Sequence, residues 1–279
     1  MIDAHFHSWQ LARGDYGWLR PDIGSIYRDV AVEDWQKLSS PLGINGGILV
    51  QAAPTGAETM FLLALADANP AVLGVVGWVD FMAADAVAQI EAFAKHPKLK
   101  GLRPMLHDLP DAAWILQPAV EPALSAMEKL GLVFDTLIRP VHLPYIRTMA
   151  QRYPNLSIVI DHCAKPEIAL GVEAAWQPWA DGMAALAALP NVSCKLSGLL
   201  TEAGISSALK LIEPWARYII KTFHHKRIMW GSDWPVLELS TDYESWFDCC
   251  MLLTSQLPRI QNRHIMGINA SRIYKLVVT

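Results

Sequence analysis

The sequence predicts an α/β fold in one domain, a (β/α)8 or TIM barrel that spans residues 1–279. Short apolar, β-branched runs alternate with longer helical patterns along the whole chain, as parallel βαβ units do. The alternation occurs eight times, which favours a closed barrel over an open sheet. The length of 279 residues is also close to the roughly 250 residues that such barrels usually take.

The candidate strands are eight short apolar runs. In chain order they are Ile2–His7, Gly47–Gln51, Leu73–Val79, Leu99–Met105, Leu132–Ile138, Ser157–His162, Val192–Leu196 and Arg227–Gly231. The helical patterns between and after them include Glu58–Ala68, Asp85–Lys95, Pro118–Leu130, Leu143–Tyr153, Ala174–Leu189, Ser206–Phe223 and Tyr243–Leu253, with Arg263–Leu276 as a closing helix. The segment Ser8–Asp29, rich in Trp, Tyr, Gly and Arg, is a long loop that we expect to form part of a pocket rim.

Composition excludes several classes of protein. With 52% hydrophobic and 18% charged residues the chain is not disordered, and a net charge of −4 without a basic run does not suit nucleic acid. We see no apolar run of the about 20 residues that a membrane span needs, and no secretory signal. The four cysteines lack the spacing of a disulfide framework or zinc ribbon. We therefore expect a cytoplasmic enzyme with a small-molecule substrate. The sequence does not decide whether the protein is a monomer or a homo-oligomer.

The first candidate site residues are the two histidines of His5-Phe6-His7. Residues i and i+2 of a strand share a face, so both imidazoles converge while Phe6 points away. Two neighbouring imidazoles suit a divalent transition metal, zinc above all; the alternative is two polar residues on a solvated strand. By the same parity Asp3 shares their face and would support them from behind.

Two more candidates end later strands. Asp161 and His162 close the sixth strand and would face opposite sides, one entering the barrel mouth and the other anchoring the loop. His162 alone could equally be a structural histidine. Asp233 follows the eighth strand, where barrels place catalytic carboxylates, although a turn or helix-cap aspartate has the same pattern. Together with three histidines, a carboxylate that takes a proton from water is the simplest interpretation.

This constellation resembles the amidohydrolase superfamily, in its amidohydrolase-2 type. Wider stretches are similar to its sugar-lactonase branch, which includes hydrolases of L-fuconolactone and of 2-pyrone-4,6-dicarboxylate. The matching stretches are Ile2–His7, Gly101–Pro104, Asp161–Pro166, Cys194–Gly198, Met229–Pro235 and Asn269–Tyr274. Each is short, but their order and their positions at strand ends make the set specific.

The resemblance implies a role for each matched residue. His5, His7, His162 and Asp233 would hold one divalent metal ion, zinc by preference; without a metal, His5 and His7 would donate hydrogen bonds to the scissile carbonyl. Asp233 and His162 would be the catalytic residues, with Asp233 as the general base. Arg103 would bind a carboxylate or ring oxygens of the substrate, or else form a buried salt bridge.

The sequence departs from the superfamily's binuclear pattern. Where binuclear members have a bridging lysine or glutamate on strand four, this chain has Arg103, and strand five offers Asp135 but no histidine. We therefore predict one metal ion at most, and the branch includes enzymes that work without one.

The remaining candidates are weaker. Four residues would line the pocket and bind substrate: Trp18, Gln51, Lys165 and Trp234. The alternative for Trp18 is packing within its loop, and the alternative for Lys165 is an ordinary solvated lysine. On strand seven, either one of Lys195 and Ser197 faces inward or both anchor the turn. We take His107 and His142 as ordinary loop residues, and place His224 and His225 at the opposite end of the barrel.

The predicted activity is a hydrolase that opens a sugar-acid or carboxylated lactone by attack of water. A zinc-dependent decarboxylase of a small conjugated acid would use the same site. From another class, a non-catalytic barrel that binds a small acid would show ligand-dependent stabilisation without turnover. The fold alone cannot decide among these three functions, so the choice depends on the residues of the site.

Overall fold

Eight parallel strands lie side by side in chain order in the computed structural model, which describes residues 1–204 and 209–277. They are β1 Ile2–Phe6, β2 Gly46–Val50, β3 Val72–Gly77, β4 Leu99–Leu102, β5 Val133–Thr136, β6 Ile158–Ile160, β7 Val192–Leu196 and β8 Ile228–Trp230. The backbone N–H of Asp233 donates to the carbonyl of His5 (2.8 Å), and that of His7 donates to Trp234 (2.7 Å). These bonds bring the ends of β8 and β1 together, and the predicted (β/α)8 barrel is confirmed.

Helices follow the strands around the barrel. The described α-helices are α1 Val32–Ser39, α2 Gly56–Ala68, α3 Ala86–Ala94, α4 Glu121–Leu130, α5 Leu143–Arg152, α6 Val172–Ala187, α7 Leu199–Glu202, α8 Leu209–Phe223, α9 Tyr243–Leu253, α10 Arg259–Arg263 and α11 Asn269–Ile273. The predicted start of one helix at Ser206 lies outside the described residues. The predicted closing helix Arg263–Leu276 is present only in part, because a π-helical turn at His264–Ile268 separates α10 from α11 and α11 ends at Ile273. Gly267 within that turn has an extended φ of 165°, which no α-helix continues.

Apolar side chains fill the barrel. One cluster collects the strand residues Ala4, Ile48, Val50, Val76, Val133, Val159 and Met229, as expected for a packed interior. A larger cluster lies between the strands and the helices around them. Among the residues that the structure describes, no helix has both the length and the apolarity to span a membrane.

A bulge in β1 decides which of its side chains enter the barrel. The register pairs Asp3 with Gly47 but Phe6 with Leu49, so three steps on β1 match two on β2. Asp3 consequently turns outward, where Trp35 of α1 and Tyr243 of α9 donate to its carboxylate (3.0 and 2.9 Å). The prediction that Asp3 shares the face of His5 and His7 is therefore wrong.

Candidate active site

His5 and His7 meet at the carboxyl end of β1. Both are buried and their Nε2 atoms lie 3.2 Å apart, while Phe6 stacks on Trp35 outside the barrel, as the alternation predicted. The Nδ1 atom of His7 lies 2.8 Å from the carbonyl oxygen of Val50. Because a carbonyl only accepts, His7 carries its proton on Nδ1 and presents a lone pair on Nε2 to the site.

His162 reaches the same point from a left-handed turn after β6. It has a φ of 49°, and Cys163, Ala164 and Lys165 also have positive φ, a conformation that costs free energy for residues other than glycine. The turn brings the ring of His162 to 4.5 Å from that of His5, with its Nδ1 2.9 Å from Ser197 Oγ. Because the chain leaves strand geometry at Asp161, the side chains of Asp161 and His162 both point into the barrel, and the predicted division of roles between them is wrong.

Asp233 completes the group from the end of β8, also with a positive φ of 60°. Its Oδ1 lies 3.3 Å from His7 Nε2 and 3.6 Å from the Nε2 atoms of both His5 and His162. Burial alone would raise the pKa of Asp233, but the nearby imidazoles of His162 and His7 outweigh burial and lower it. Burial holds the pKa of His5 and of His162 well below the usual value. The site therefore combines the ionised carboxylate of Asp233 with the neutral imidazoles of His5 and His162 at neutral pH.

The donor set fits a zinc ion. Tetrahedral zinc with bonds of about 2.0–2.1 Å separates its ligand atoms by about 3.3–3.4 Å. The Nε2 atoms of His5 and His7 lie 3.2 Å apart, and they lie 3.6 and 3.3 Å from Asp233 Oδ1, so these three residues fit one ion. Imidazole and carboxylate are also the ligand types that zinc prefers. His162 lies 3.6 Å from Asp233 Oδ1 and forms a second such group with His5 and Asp161.

A buried ionic network lies directly beneath the histidines. The ammonium of Lys195 lies 2.6 Å from Asp135 and 2.9 Å from Asp161, and Arg103 lies 3.1 Å from Asp161. Burial raises the pKa of Asp161, but Lys195 and then His5 outweigh it and hold that pKa well below the usual range. Burial raises the pKa of Asp135 to about 6 in spite of Lys195. Two cations and two carboxylates thus compensate one another inside the barrel.

Lys195 also determines how His5 can be protonated. Its Nζ lies 3.2 Å from His5 Nδ1, and Asp161 Oδ1 lies 3.4 Å from the same atom. An ammonium only donates and an ionised carboxylate only accepts, so this pair can stabilise His5 with its proton on either ring nitrogen. Both candidate residues of strand seven serve the site. Lys195 faces inward, and Ser197 orients the ring of His162.

A cavity of about 180 Å³ opens over these side chains. Its lining residues are His7, Trp18, Ala52, Arg103, Met105, His107, Asp108, Leu137, His162, Lys165, Asp233 and Val236. Pockets for drug-sized ligands measure roughly 300–1,000 Å³, so this one suits a substrate with a single small ring. The predicted residues Trp18, Arg103 and Lys165 are part of the lining.

Two predicted pocket residues lie elsewhere. Gln51 is buried behind the wall, where its side-chain amide donates to the carbonyl of Arg103 (2.7 Å). Trp234 is buried beside the turn after β8 and donates its indole N–H to Glu238 (2.7 Å). Neither is in the cavity lining, so both support the site from outside it.

His107 is the most informative residue that the sequence interpretation passed over. It lines the cavity, its Nε2 lies 3.2 Å from Asp108 Oδ1, and its buried Nδ1 has no hydrogen-bond partner among the described residues. Burial lowers its pKa to about 3, so it stays uncharged at neutral pH. The interpretation of His107 as an ordinary loop residue is wrong; its place four residues after Arg103 was the available signal. His142, in contrast, accepts from the backbone of Arg139 (3.1 Å) and organises its own loop.

Gly198 is required where β7 meets the His162 turn. Its φ is +65°, and a Cβ there would lie 2.8 Å from the Cβ, Cγ and Nδ1 atoms of His162. We expect Gly198→Ala to displace the His162 ring and lower kcat by about ten-fold or more, since small misplacements of catalytic groups are costly. Gly43→Ala is the matched control, because Gly43 has a similar left-handed conformation (φ 75°, ψ 21°) away from the site and a Cβ there would meet only the end of Met1 at 3.6 Å. Equal kcat in both variants would contradict this role.

Comparisons with known proteins identify the family of the chain. The amidohydrolase family model matches residues 2–276. The chain is 44% identical to an L-fucono-1,5-lactonase of Burkholderia ambifaria, over 99% of this chain and 95% of the relative. It is 31% identical to an L-fucono-1,5-lactonase of Burkholderia multivorans, over 99% of this chain and 96% of the relative.

A solved structure supports the fold along the whole chain. The crystal structure of an amidohydrolase from Burkholderia multivorans with bound zinc superposes with a TM-score of 0.94 at 32% identity, covering 99% of both chains. The sequence and structural matches therefore cover nearly the whole chain, and the chain belongs to the amidohydrolase family.

Proposed function

We propose that this enzyme hydrolyses the lactone of a sugar acid, with L-fucono-1,5-lactone as the leading substrate. The observation that carries the proposal is the Asp233 carboxylate, which is held within 3.6 Å of three imidazole nitrogens at a cavity sized for one ring. The named activity of the relatives at 44% and 31% identity supports the choice of lactone.

Asp233 acts first as a base and then as an acid. Because its pKa is lowered, it is ionised at neutral pH and can take a proton from water as the water oxygen bonds to the lactone carbonyl carbon. The carbonyl oxygen gains negative charge in the tetrahedral intermediate. When the intermediate collapses, the bond from the carbonyl carbon to the ring oxygen breaks, and Asp233 returns the proton to that oxygen. The product is a hydroxy acid, which loses its carboxyl proton to solvent.

The histidines stabilise the developing negative charge. With Lys195 donating to Nδ1 (3.2 Å), His5 carries its proton on Nε2 and can donate it toward the carbonyl oxygen. With its proton on Nδ1, facing Asp161, His5 instead offers a lone pair as a ligand. His5, His7, His162 and Asp233 would then hold one divalent ion, zinc by preference, which when bound supplies Lewis-acid polarisation of the carbonyl and of water.

The charges around the cavity favour an uncharged substrate. The Arg103 guanidinium lies 3.1 Å from Asp161, and the Lys165 ammonium lies 2.6 Å from Glu202. Each lining cation therefore already faces a carboxylate, although the buried Nε of Arg103 has no hydrogen-bond partner among the described residues, and His107 is neutral. A substrate carboxylate would have to compete with these internal carboxylates, whereas the hydroxyl groups of a sugar lactone need only hydrogen bonds. This argues for a neutral sugar lactone over a carboxylated one, and against decarboxylation of an anionic acid.

A pH-indicator assay on a lactone panel tests the proposal. Acid release is measured above the spontaneous rate for L-fucono-1,5-lactone, other neutral 1,4- and 1,5-lactones, and 2-pyrone-4,6-dicarboxylate. We expect kcat/KM for the best neutral 1,5-lactone to exceed that for the dicarboxylate by at least about 100-fold, a difference of the size that one uncompensated buried charge produces. Preference for the dicarboxylate would overturn the argument from charge.

Metal analysis of the same sample tests the single-ion proposal. We expect about one zinc per chain, because the Lys195 ammonium occupies the space beside His5 and disfavours a second cation. Two ions per chain, or none in protein purified with added zinc, would contradict it. Treatment with a chelator then shows whether the ion or the histidine N–H groups alone sustain turnover.

A further inference from the structure

One wall of the cavity belongs to the long loop after β1. Trp18 lines the cavity, and its indole N–H donates to the carbonyl of Ala52 (2.7 Å), which is itself a lining residue after β2. Trp18 also packs edge-on against Trp9 with ring centroids 5.6 Å apart. We call Trp18 and Ala52 together the Trp18 wall.

Glu58 lies behind this wall, in the first turn of α2. It is fully buried and is not a lining residue. One carboxylate oxygen accepts from the backbone N–H of Ala52 (3.0 Å), and the other accepts from the hydroxyl of Tyr16 (2.9 Å). The Glu58 side chain therefore holds both segments of the wall. It contacts one segment at Tyr16, two residues before Trp18, and the other segment at Ala52.

A second set of contacts closes around Glu58. Arg13 Nη2 lies 3.3 Å from Glu58 and donates to Asp15 (2.6 Å), and Arg13 Nε donates to the Tyr16 hydroxyl (3.1 Å). Asp15 in turn accepts from the hydroxyl of Thr55 (2.9 Å), the residue that caps α2. Segments 13–18 and 52–58 are thus joined through one buried carboxylate and its cation.

We propose that Glu58 is a positioning residue that fixes the Trp18 wall against the cavity and thereby sets the affinity for substrate. The effect on substrate rests on the proposed function; the effect on the wall rests on the contacts alone. Since Glu58 touches none of the residues around Asp233, its loss affects binding rather than the chemical step.

Glu58 changes charge near neutral pH. Burial raises its pKa to about 7, although the hydrogen bonds from Ala52 and Tyr16 and the charge of Arg13 oppose burial. The charged and titratable groups facing it are Arg13, Asp15 and Tyr16.

Hydrogen exchange without substrate tests the structural part. We expect Glu58→Gln and Tyr16→Phe each to raise amide exchange in residues 11–19 by about five-fold, the effect of losing one hydrogen bond, with the strands unchanged. Glu91→Gln, at an exposed glutamate of α3, is the matched control and should leave exchange unchanged. Unchanged exchange in both wall variants would overturn the positioning role even if the protein proved to have another activity.

Steady-state kinetics test the effect on substrate. We expect KM for the lactone to rise about five-fold in Glu58→Gln and in Tyr16→Phe, with kcat changed less than about two-fold. An equal fall in kcat, or an unchanged KM in both variants, would overturn the proposal. If Glu58→Gln does not fold, Tyr16→Phe, which keeps the carboxylate, decides.

Discussion

Asp233→Asn is expected to lower kcat for lactone hydrolysis by about 10²–10⁴-fold, the usual contribution of a general acid–base group. Asparagine keeps the size of the side chain but cannot take a proton from water. Its amide oxygen and N–H groups can still hydrogen-bond the surrounding imidazoles, whose Nε2 atoms lie 3.3–3.6 Å from Asp233 Oδ1. We therefore expect the variant to fold, with a Tm close to that of the wild type.

The matched control for this variant is Asp108→Asn. Asp108 also lines the cavity but contacts His107, and its carboxylate is half exposed, at 57%. We expect kcat within about three-fold of the wild type, since the group is solvated and carries no proton in the reaction. An Asp233→Asn variant that stays folded and keeps wild-type kcat would remove Asp233 from the mechanism.

Lys195→Met is expected to destabilise the fold by about 3–5 kcal/mol, the usual result of removing one partner of a buried ion pair. The change would leave Asp135 and Asp161 buried without the ammonium that now lies 2.6 and 2.9 Å from them. Protonation would neutralise both buried carboxylates and reduce the cost of leaving them unpaired. The loss in the free energy of unfolding should therefore be larger at neutral than at acidic pH. Urea unfolding at two pH values measures it.

Lys165→Met is the matched control for Lys195→Met. Its partner Glu202 lies at an equally short 2.6 Å, but both side chains are partly exposed, at 18% and 16%. Water can solvate Glu202 once the lysine is gone, so we expect a cost of about 1 kcal/mol or less. Equal destabilisation in the two variants would contradict the larger contribution to stability that we assign to the buried ion pairs.

The barrel could be predicted because its periodicity is local. Each strand is an apolar run such as Gly46–Val50, each helix a longer pattern such as Gly56–Ala68, and eight repeats leave few topologies. The strand ends were predicted too late, since His7, Gln51 and Arg103 each follow the last residue of their strand. The prediction of the closing helix was only partly right, because the π-helical turn within it depends on packing against β1 and β8.

The site was predictable where one side chain follows one strand end, as for His5, His7 and Asp233. It was not predictable where local backbone breaks the alternation. The bulge in β1 sends Asp3 outward, and the left-handed turn brings Asp161 and His162 inward together. Lys195 and Glu58 depend on partners 60 and 42 residues away along the chain, so no local pattern reveals what they contact.

Hydrolysis of L-fucono-1,5-lactone in water enriched in oxygen-18 tests the central claim most directly, with the product analysed by mass spectrometry. The account predicts a hydroxy acid with one labelled oxygen in its carboxylate, formed by the wild type far above the spontaneous rate and by Asp233→Asn near that rate. Formation no faster than in the blank, or turnover of a small conjugated acid with loss of carbon dioxide in place of lactone opening, would contradict it.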